Sequence, residues 1–250
     1  NNNLVNMLRS GRQKPVKLVL NNIRKKVDLA RRISHIIEAD SSSIMELLYD
    51  SIFISKYGFD TNTVMCAFIP NTYEMYWNTS AEQMFNKIYD YYKKFWNDYR
   101  LEKCRNMGMK PEEVIILASI VYSETKAKDE MGTIAGVYLN RLKKGMLLQA
   151  DPTVVYSIGD FSIRRVTGKH LKTESPYNTY INYGLPPGPI CLPEPYVIDS
   201  VLNYKKHKYL YFCAKEDFSG LHNFAENEDE HMKNARRYHL ELRKRNILMN

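Results

Sequence analysis

The chain has 250 residues, 44% of them apolar, 26% charged and 12% aromatic, with a net charge of +8. That much apolar content excludes a disordered chain and allows one large domain or two modest ones. The positive balance points to an anionic partner, yet no zinc-finger spacing or other nucleic-acid motif accompanies it, so nucleic acid is not expected.

In chain order, residues 4–10 are expected to form a short helix, and Val16 to Leu20 alternates and β-branches as a strand does. Arg24 to Ile37 places Val27, Ala30, Ile33 and Ile37 at helical spacing. Ser43 with Glu46 has the pattern of a capping box, opening a second helix through Tyr49. Thr63 to Ile69 reads as the next strand. Strand, two helices and strand make a small α+β unit compatible with a LysM-like glycan-binding module.

Ser80 and Gln83 offer another capping box, and Met84, Ile88, Tyr91, Phe95 and Tyr99 continue as one long helix to about Cys104, its aromatic stripe read as core packing. Pro111 then suits a first helical position, with Glu112 and Glu113 where the helix dipole favours negative charge. The apolar run from Val114 to Tyr122 belongs to a helix central to a core. That helix carries Glu124 to its end, three, four and seven residues after Val121, Ile120 and Leu117. A carboxyl on so apolar a face resists ionisation, which suits a group that must protonate a leaving oxygen. From this helix alone, a solvated last-turn glutamate is the simpler alternative.

A second helix is expected from Met131 to Lys144, stopped by Gly145. From Leu147 the chain reads as loops rich in turn-formers, LLQADPTVVYS and ESPYNTYINYGLPPGPI, and loops of such length are commonly functional. Tyr209 to Ala214 is expected as a strand, His222 to Phe224 as a turn or strand edge, and Glu228 to Asn246 as a closing helix. Cys66, Cys104, Cys191 and Cys213 have no short spacing, so buried thiols are expected, with a Cys191–Cys213 disulfide as the alternative. The six histidines have no recognised ligand spacing, so neither metal nor cofactor is expected. No apolar run reaches the about 20 residues of a membrane span. The chain opens on Asn1 without an initiator Met, so a targeting or anchoring segment is taken to lie outside it.

Six stretches in order, ASIVYSET (118–125), GVYLNRLKKGM (136–146), LQADPTVVY (148–156), SPYNTY (175–180), GLPPGPI (184–190) and YLYF (209–212), together resemble the YceG-like endolytic murein transglycosylase family. PNTYEMYW (70–77) resembles the family's link between its LysM-like and catalytic portions. The resemblance implies an α+β protein with a LysM-like subdomain at 1–78, a bridging helix at 79–108 and a catalytic domain of mixed α/β structure at 109–250, built on the Glu-bearing helix.

The activity it implies is cleavage of peptidoglycan glycan strands between N-acetylmuramic acid and N-acetylglucosamine without water as nucleophile, leaving 1,6-anhydro ends. Glu124 maps onto the family's catalytic acid. Many members carry another Glu two residues earlier, where this chain has Tyr122. The motifs LQADPT and SPYN look like counterparts of the Gly-Leu-Met-Gln and Ala-Tyr-Asn motifs of other lytic transglycosylases. On that basis Gln149, Asp151, Thr153, Ser175, Tyr177, Asn178 and Thr179 are expected to bind substrate. Asn223 joins them, although relatives often have Thr at that position.

The resemblance also implies a site of action on the outer, periplasmic face of the cytoplasmic membrane near glycan synthases, the full-length protein being anchored by a segment absent here. Three other readings stand beside it: a water-using muramidase with Asp151 as second carboxylate, a serine acyl enzyme on the S-x-x-K pattern of Ser123 to Lys126, and a glycan-binding module without catalysis.

Overall fold

The computed structural model describes residues 13–245 and, before them, Val5, so the helix expected over 4–10 otherwise falls outside the described residues. Two units divide the chain, residues 1–96 and 97–250.

In the first unit, β1 (Val16–Leu20) leads into α1 (Lys26–Ser34), α2 (Ser41–Tyr49) and α3 (Ser51–Ser55), and β2 (Asn71–Met75) returns antiparallel to β1 with Val16 opposite Met75 and Leu20 opposite Asn71. The buried stripe of α1 is Leu29, Ala30 and Ile33, whereas Val27, expected inside, is 42% exposed. α2 begins two residues before Ser43, because the Asp40 carboxylate accepts the Ser43 amide at 2.7 Å and is the cap in place of the expected Ser43–Glu46 box.

The strand expected at Thr63 to Ile69 is instead a short 3-10 helix, Val64–Ala67. Asp60 Oδ1 accepts the amides of Asn62 and Thr63, each at 2.8 Å, which turns the chain tightly. Every residue from 64 to 70 is then buried, and a short apolar run buried on all sides has no periodicity that separates strand from helix. The strand falls one step later, in PNTYEMYW.

α4 (Ala81–Phe95) starts on the expected capping box, Gln83 N donating to Ser80 Oγ and Ser80 N to Gln83 Oε1. Its inner face, Met84, Phe85, Ile88, Tyr92 and Phe95, meets Phe53, Tyr57, Phe59 and Phe68 in a chain of aromatic contacts. The long helix expected through Cys104 breaks here. Trp96 leaves helical geometry, and the second unit opens on Asn97, whose Oδ1 accepts the Arg100 amide to start α5 (Asp98–Met107).

α6 (Pro111–Glu124) follows the sequence closely: Pro111 stands in the first turn, Glu113 accepts the Lys110 amide at 2.7 Å, and all eight residues from Val114 to Val121 are buried. α7 (Lys128–Lys143) packs beside it. Two further helices occupy stretches that read as loop, α8 (Asp151–Ile158) and α9 (Pro195–Leu202), each with proline in its first turn. α8 ends at Gly159 with φ +77°, a left-handed stop. α9 lies against α6 and α7 and is tied to α5 by a two-pronged ion pair, Arg100 Nε to Asp199 Oδ1 at 2.8 Å and Nη2 to Oδ2 at 3.0 Å.

The hairpin β3 (Tyr211–Ala214) and β4 (His222–Ala225) pairs antiparallel with Tyr211 opposite Ala225, and α10 (Glu228–Lys244) packs on it. The approach to β3 runs hard against α7: a Cβ on Gly136 would stand 2.5 Å from both the Lys205 carbonyl oxygen and His207 Nε2. One turn on, Asn140 Nδ2 donates to the carbonyls of His207 and Tyr209, fixing the strand's entry. The fold is α+β, mainly helical, with a two-stranded sheet in each unit. Cys191 and Cys213 do not form a disulfide, and the four cysteines are thiols, buried except for half-buried Cys213.

Candidate active site

Glu124 is the last residue of α6, and the burial of the preceding turns fixes where its side chain emerges. Thr125 is extended (φ −141°, ψ 150°), so the backbone turns away and leaves the carboxyl facing a cleft of about 510 Å³. α7 contributes Tyr138 and Arg141 to this cleft, the following segment Leu148, Gln149 and Asp151, the next loop Tyr180, the hairpin Tyr211 to Ala214 and His222, and α10 Glu228, His231 and Met232.

The Tyr138 hydroxyl donates to Glu124 Oε1 at 2.5 Å. Desolvation pushes the Glu124 carboxyl up to about 7, the Tyr138 hydrogen bond opposing the rise and the negative charge of Asp151 adding to it. The carboxyl is therefore close to half protonated near neutral pH, the state that general acid–base work requires. Tyr180 donates to Asp151 Oδ1 at 2.6 Å, giving the cleft a second tyrosine–carboxylate pair.

Arg141 organises the wall between them. Nε donates to the Leu210 carbonyl at 2.7 Å, and Nη1 to the carbonyls of Leu147 and Leu148 and to Gln149 Oε1 at 2.9–3.1 Å. A buried guanidinium so occupied ties the segment before α8 to the start of β3. Gln149 takes φ +53°, unusual for a side chain of its size, and its amide donates to the Thr179 carbonyl.

Of the nine residues expected from the sequence, Glu124, Gln149 and Asp151 line the cleft. Thr153 and Thr179 are buried behind it, their hydroxyls paired at 2.8 Å while Thr179 Oγ1 accepts the Ala150 amide. Asn178 has no exposed surface: its Nδ2 donates to Leu171 and Thr173 carbonyls and its Oδ1 accepts the Tyr180 amide, so it shapes the loop that presents Tyr180. Ser175 Oγ accepts the Tyr177 amide, the Tyr177 ring packs on Tyr156, and Asn223 donates to Glu216.

Sequence reasoning missed Tyr138, Arg141, Tyr180 and His222. Tyr138 and Arg141 did leave a sign, two polar-headed residues three apart on the otherwise apolar buried face of α7. His222 left none, since its partner is Glu130, 92 positions away, which accepts from both its amide at 3.0 Å and its Nδ1 at 2.9 Å. Among the described residues no three His, Cys, Asp or Glu side chains converge to hold a metal ion.

Fold and cleft define an α+β protein whose second unit is organised about the desolvated carboxyl of Glu124. A family model described as the YceG-like family matches residues 1–237, and the chain belongs to that family. A Bacillus subtilis (strain 168) protein named endolytic murein transglycosylase is 36% identical over 161 residues, 64% of this chain and 44% of that protein. A Streptococcus pneumoniae (serotype 2, strain D39) protein of the same name is 29% identical over 170 residues, 66% of this chain and 30% of its own. The crystal structure of a yceG-like protein from Listeria monocytogenes matches with a TM-score of 0.74 and 29% identity, covering 93% of this chain and 80% of that one. The chain thus spans less than half the length of the curated relatives it matches.

Proposed function

We propose that the second unit is the catalytic portion of a peptidoglycan lytic transglycosylase that cuts glycan strands internally. The observation that carries this reading is the state of Glu124: one carboxyl, desolvated to a pKa of about 7, at the floor of an open cleft. As the acid, Glu124 protonates the glycosidic oxygen while the bond to C1 of the muramic residue breaks. As the carboxylate so formed, it takes the proton of that residue's C6 hydroxyl, whose oxygen attacks C1 and closes the 1,6-anhydro ring. The proton returns to its starting place, and no water is consumed.

The nucleophile belongs to the substrate, so the protein must hold the sugar, exclude water and steady oxocarbenium-like charge. Gln149 and Asp151, which line the cleft, are the residues that touch the glycan in this reading, while Thr153, Ser175, Tyr177, Asn178 and Thr179 hold the loops that present the wall. The first unit, in which antiparallel β1 and β2 enclose α1 to α3 in sequence, is an α+β arrangement that supports a LysM-like glycan-binding role for it. Such a substrate implies work in the bacterial envelope, on the outer side of the cytoplasmic membrane, beside the enzymes that polymerise glycan. Among the described residues no helix is long and apolar enough to cross a membrane.

The second reading rests on Asp151. A carboxylate in the same cleft as the acid is what a water-using muramidase needs. Mass spectrometry of the ends released from isolated peptidoglycan separates the two. Anhydro-muramic ends from the parent, reduced at least about 1,000-fold in Glu124→Gln, are expected; reducing ends transfer the role of base to Asp151.

A further inference from the structure

Tyr138 is the one hydrogen-bond partner of the Glu124 carboxyl among the described residues, and its contact is with one oxygen only. The ring is 2% exposed and held edge-on to Phe212 at 5.8 Å, so the hydroxyl has little freedom to look elsewhere. Burial first, and then the neighbouring Glu124 charge, push the phenol well above its ordinary value, so it is a protonated donor at neutral pH. A hydroxyl that donates to a neutral carboxylic acid prefers the carbonyl oxygen, the stronger acceptor of the two. With Oε1 occupied, the acid proton belongs on Oε2.

We infer that Tyr138 is a positioning residue that gives the two oxygens of Glu124 separate tasks, Oε1 held by the phenol and Oε2 carrying the proton that goes to and returns from the sugar. This inference rests on the function proposed above for Glu124. In the acid step the Oε2–H bond breaks and the proton goes to the glycosidic oxygen; in the second, the C6 hydroxyl proton re-forms it. Oε1 keeps the same partner throughout, so the carboxyl need not rotate between steps.

The titratable and charged groups around Glu124 in the cleft are Tyr138 and Arg141 on α7, Asp151 at the start of α8, Tyr180 of the following loop, Tyr211, Cys213 and His222 of the hairpin, and Glu228 and His231 on α10. Arg141 is turned to the carbonyls of residues 147, 148 and 210 and to Gln149, His222 to Glu130, and Tyr180 to Asp151. Asp151 acts on Glu124 through its charge and opposes ionisation, whereas the Tyr138 hydrogen bond favours it.

Tyr138→Phe removes the donor and keeps the ring. With glutamate carboxyls labelled by carbon-13, the Glu124 resonance is identified as the one missing from Glu124→Gln, and its titration midpoint is read in parent and variant. The midpoint is expected to rise by about one unit in Tyr138→Phe. The kcat for releasing anhydro ends is expected to fall about 10-fold with KM within about twofold, and the alkaline limb of the pH profile to move up with the midpoint.

A midpoint that stays where the parent has it overturns the inference, and so does full kcat across the pH range. Should Tyr138→Phe not fold, fluorotyrosine in the parent sequence strengthens the donor and must move the same midpoint down; no movement overturns the inference equally. The titration is independent of turnover. A parent that makes no anhydro ends, or a Glu124→Gln variant that makes them freely, overturns the proposed function while leaving the reading of the midpoint intact.

Discussion

The two units bury different chemistry. The first joins an aliphatic core, with Leu18, Leu20, Leu29, Ile33, Ile44 and Leu48 fully buried, to a run of buried and half-buried rings, Phe53, Tyr57, Phe59, Phe68, Phe85, Tyr89 and Tyr92, in contacts between 4.8 and 6.1 Å, most of them edge-on. The second unit has an aliphatic centre around α6 but also takes in Arg141, Thr153, Asn178, Thr179 and the Tyr138 hydroxyl, each with hydrogen-bond partners. Ring packing gives stability and tolerates small shifts, whereas a buried polar network holds only when every member is satisfied. The unit with the harder accounting is the one that carries the cleft, because fixed polar atoms are what hold a carboxyl and a loop in register.

Removing one member from each core breaks the comparison most sharply. Arg141→Met leaves the carbonyls of residues 147, 148 and 210 without their donor, and a cost of about 3–5 kcal/mol is expected in urea unfolding of the second unit, with cleft activity lost. Phe85→Ala opens a cavity among the rings of the first unit and is expected to cost about 3–4 kcal/mol there. Near-ultraviolet circular dichroism separates the two, since the ring signal should collapse in Phe85→Ala and persist in Arg141→Met. Equal loss of that signal in both variants would mean that the two cores are not independent.

A smaller effect sharpens the contrast through pH. Because burial raises the Glu124 carboxyl to about 7, the folded state binds a proton that the unfolded chain releases near its ordinary 4.5. Between those values the folded state holds more protons, so stability contributed by this group falls as pH rises from about 4.5 and is lost above about 7. Glu124→Gln should therefore gain on the parent with rising pH, by about 1–2 kcal/mol at pH 8, less than the full shift implies because cleft solvent screens the charge. Paired urea melts at pH 5 and pH 8 check this, and a constant difference between the proteins would mean that Glu124 titrates normally.

How far the sequence foretold the site depended on whether the deciding interaction was local. Pro111, the acidic first turn and the apolar run announced α6 and the place of Glu124; Ser80 and Gln83 announced the start of α4. Thr63 to Ile69 misled because a run buried on every side carries no period. The loop motifs were open to two readings for a different reason. Polar residues in a loop serve either a ligand or the loop's own backbone, and Thr153, Asn178 and Thr179 serve the backbone. Tyr138 and Glu124 are neighbours only because α6 and α7 pack together, a relation 14 positions apart in sequence that no local pattern encodes.

Cys213 gives the cleft a chemical handle of its own. It is the half-buried member of the four thiols and lines the same cavity as Glu124, with burial pushing its thiol up from the ordinary value. A thiol of this kind reacts sluggishly, and whatever fills the cavity stands between it and an alkylating reagent. The rate at which Cys213 is capped is thus a clock for occupancy, one that reports any ligand held in the cleft, in the parent and in Glu124→Gln alike.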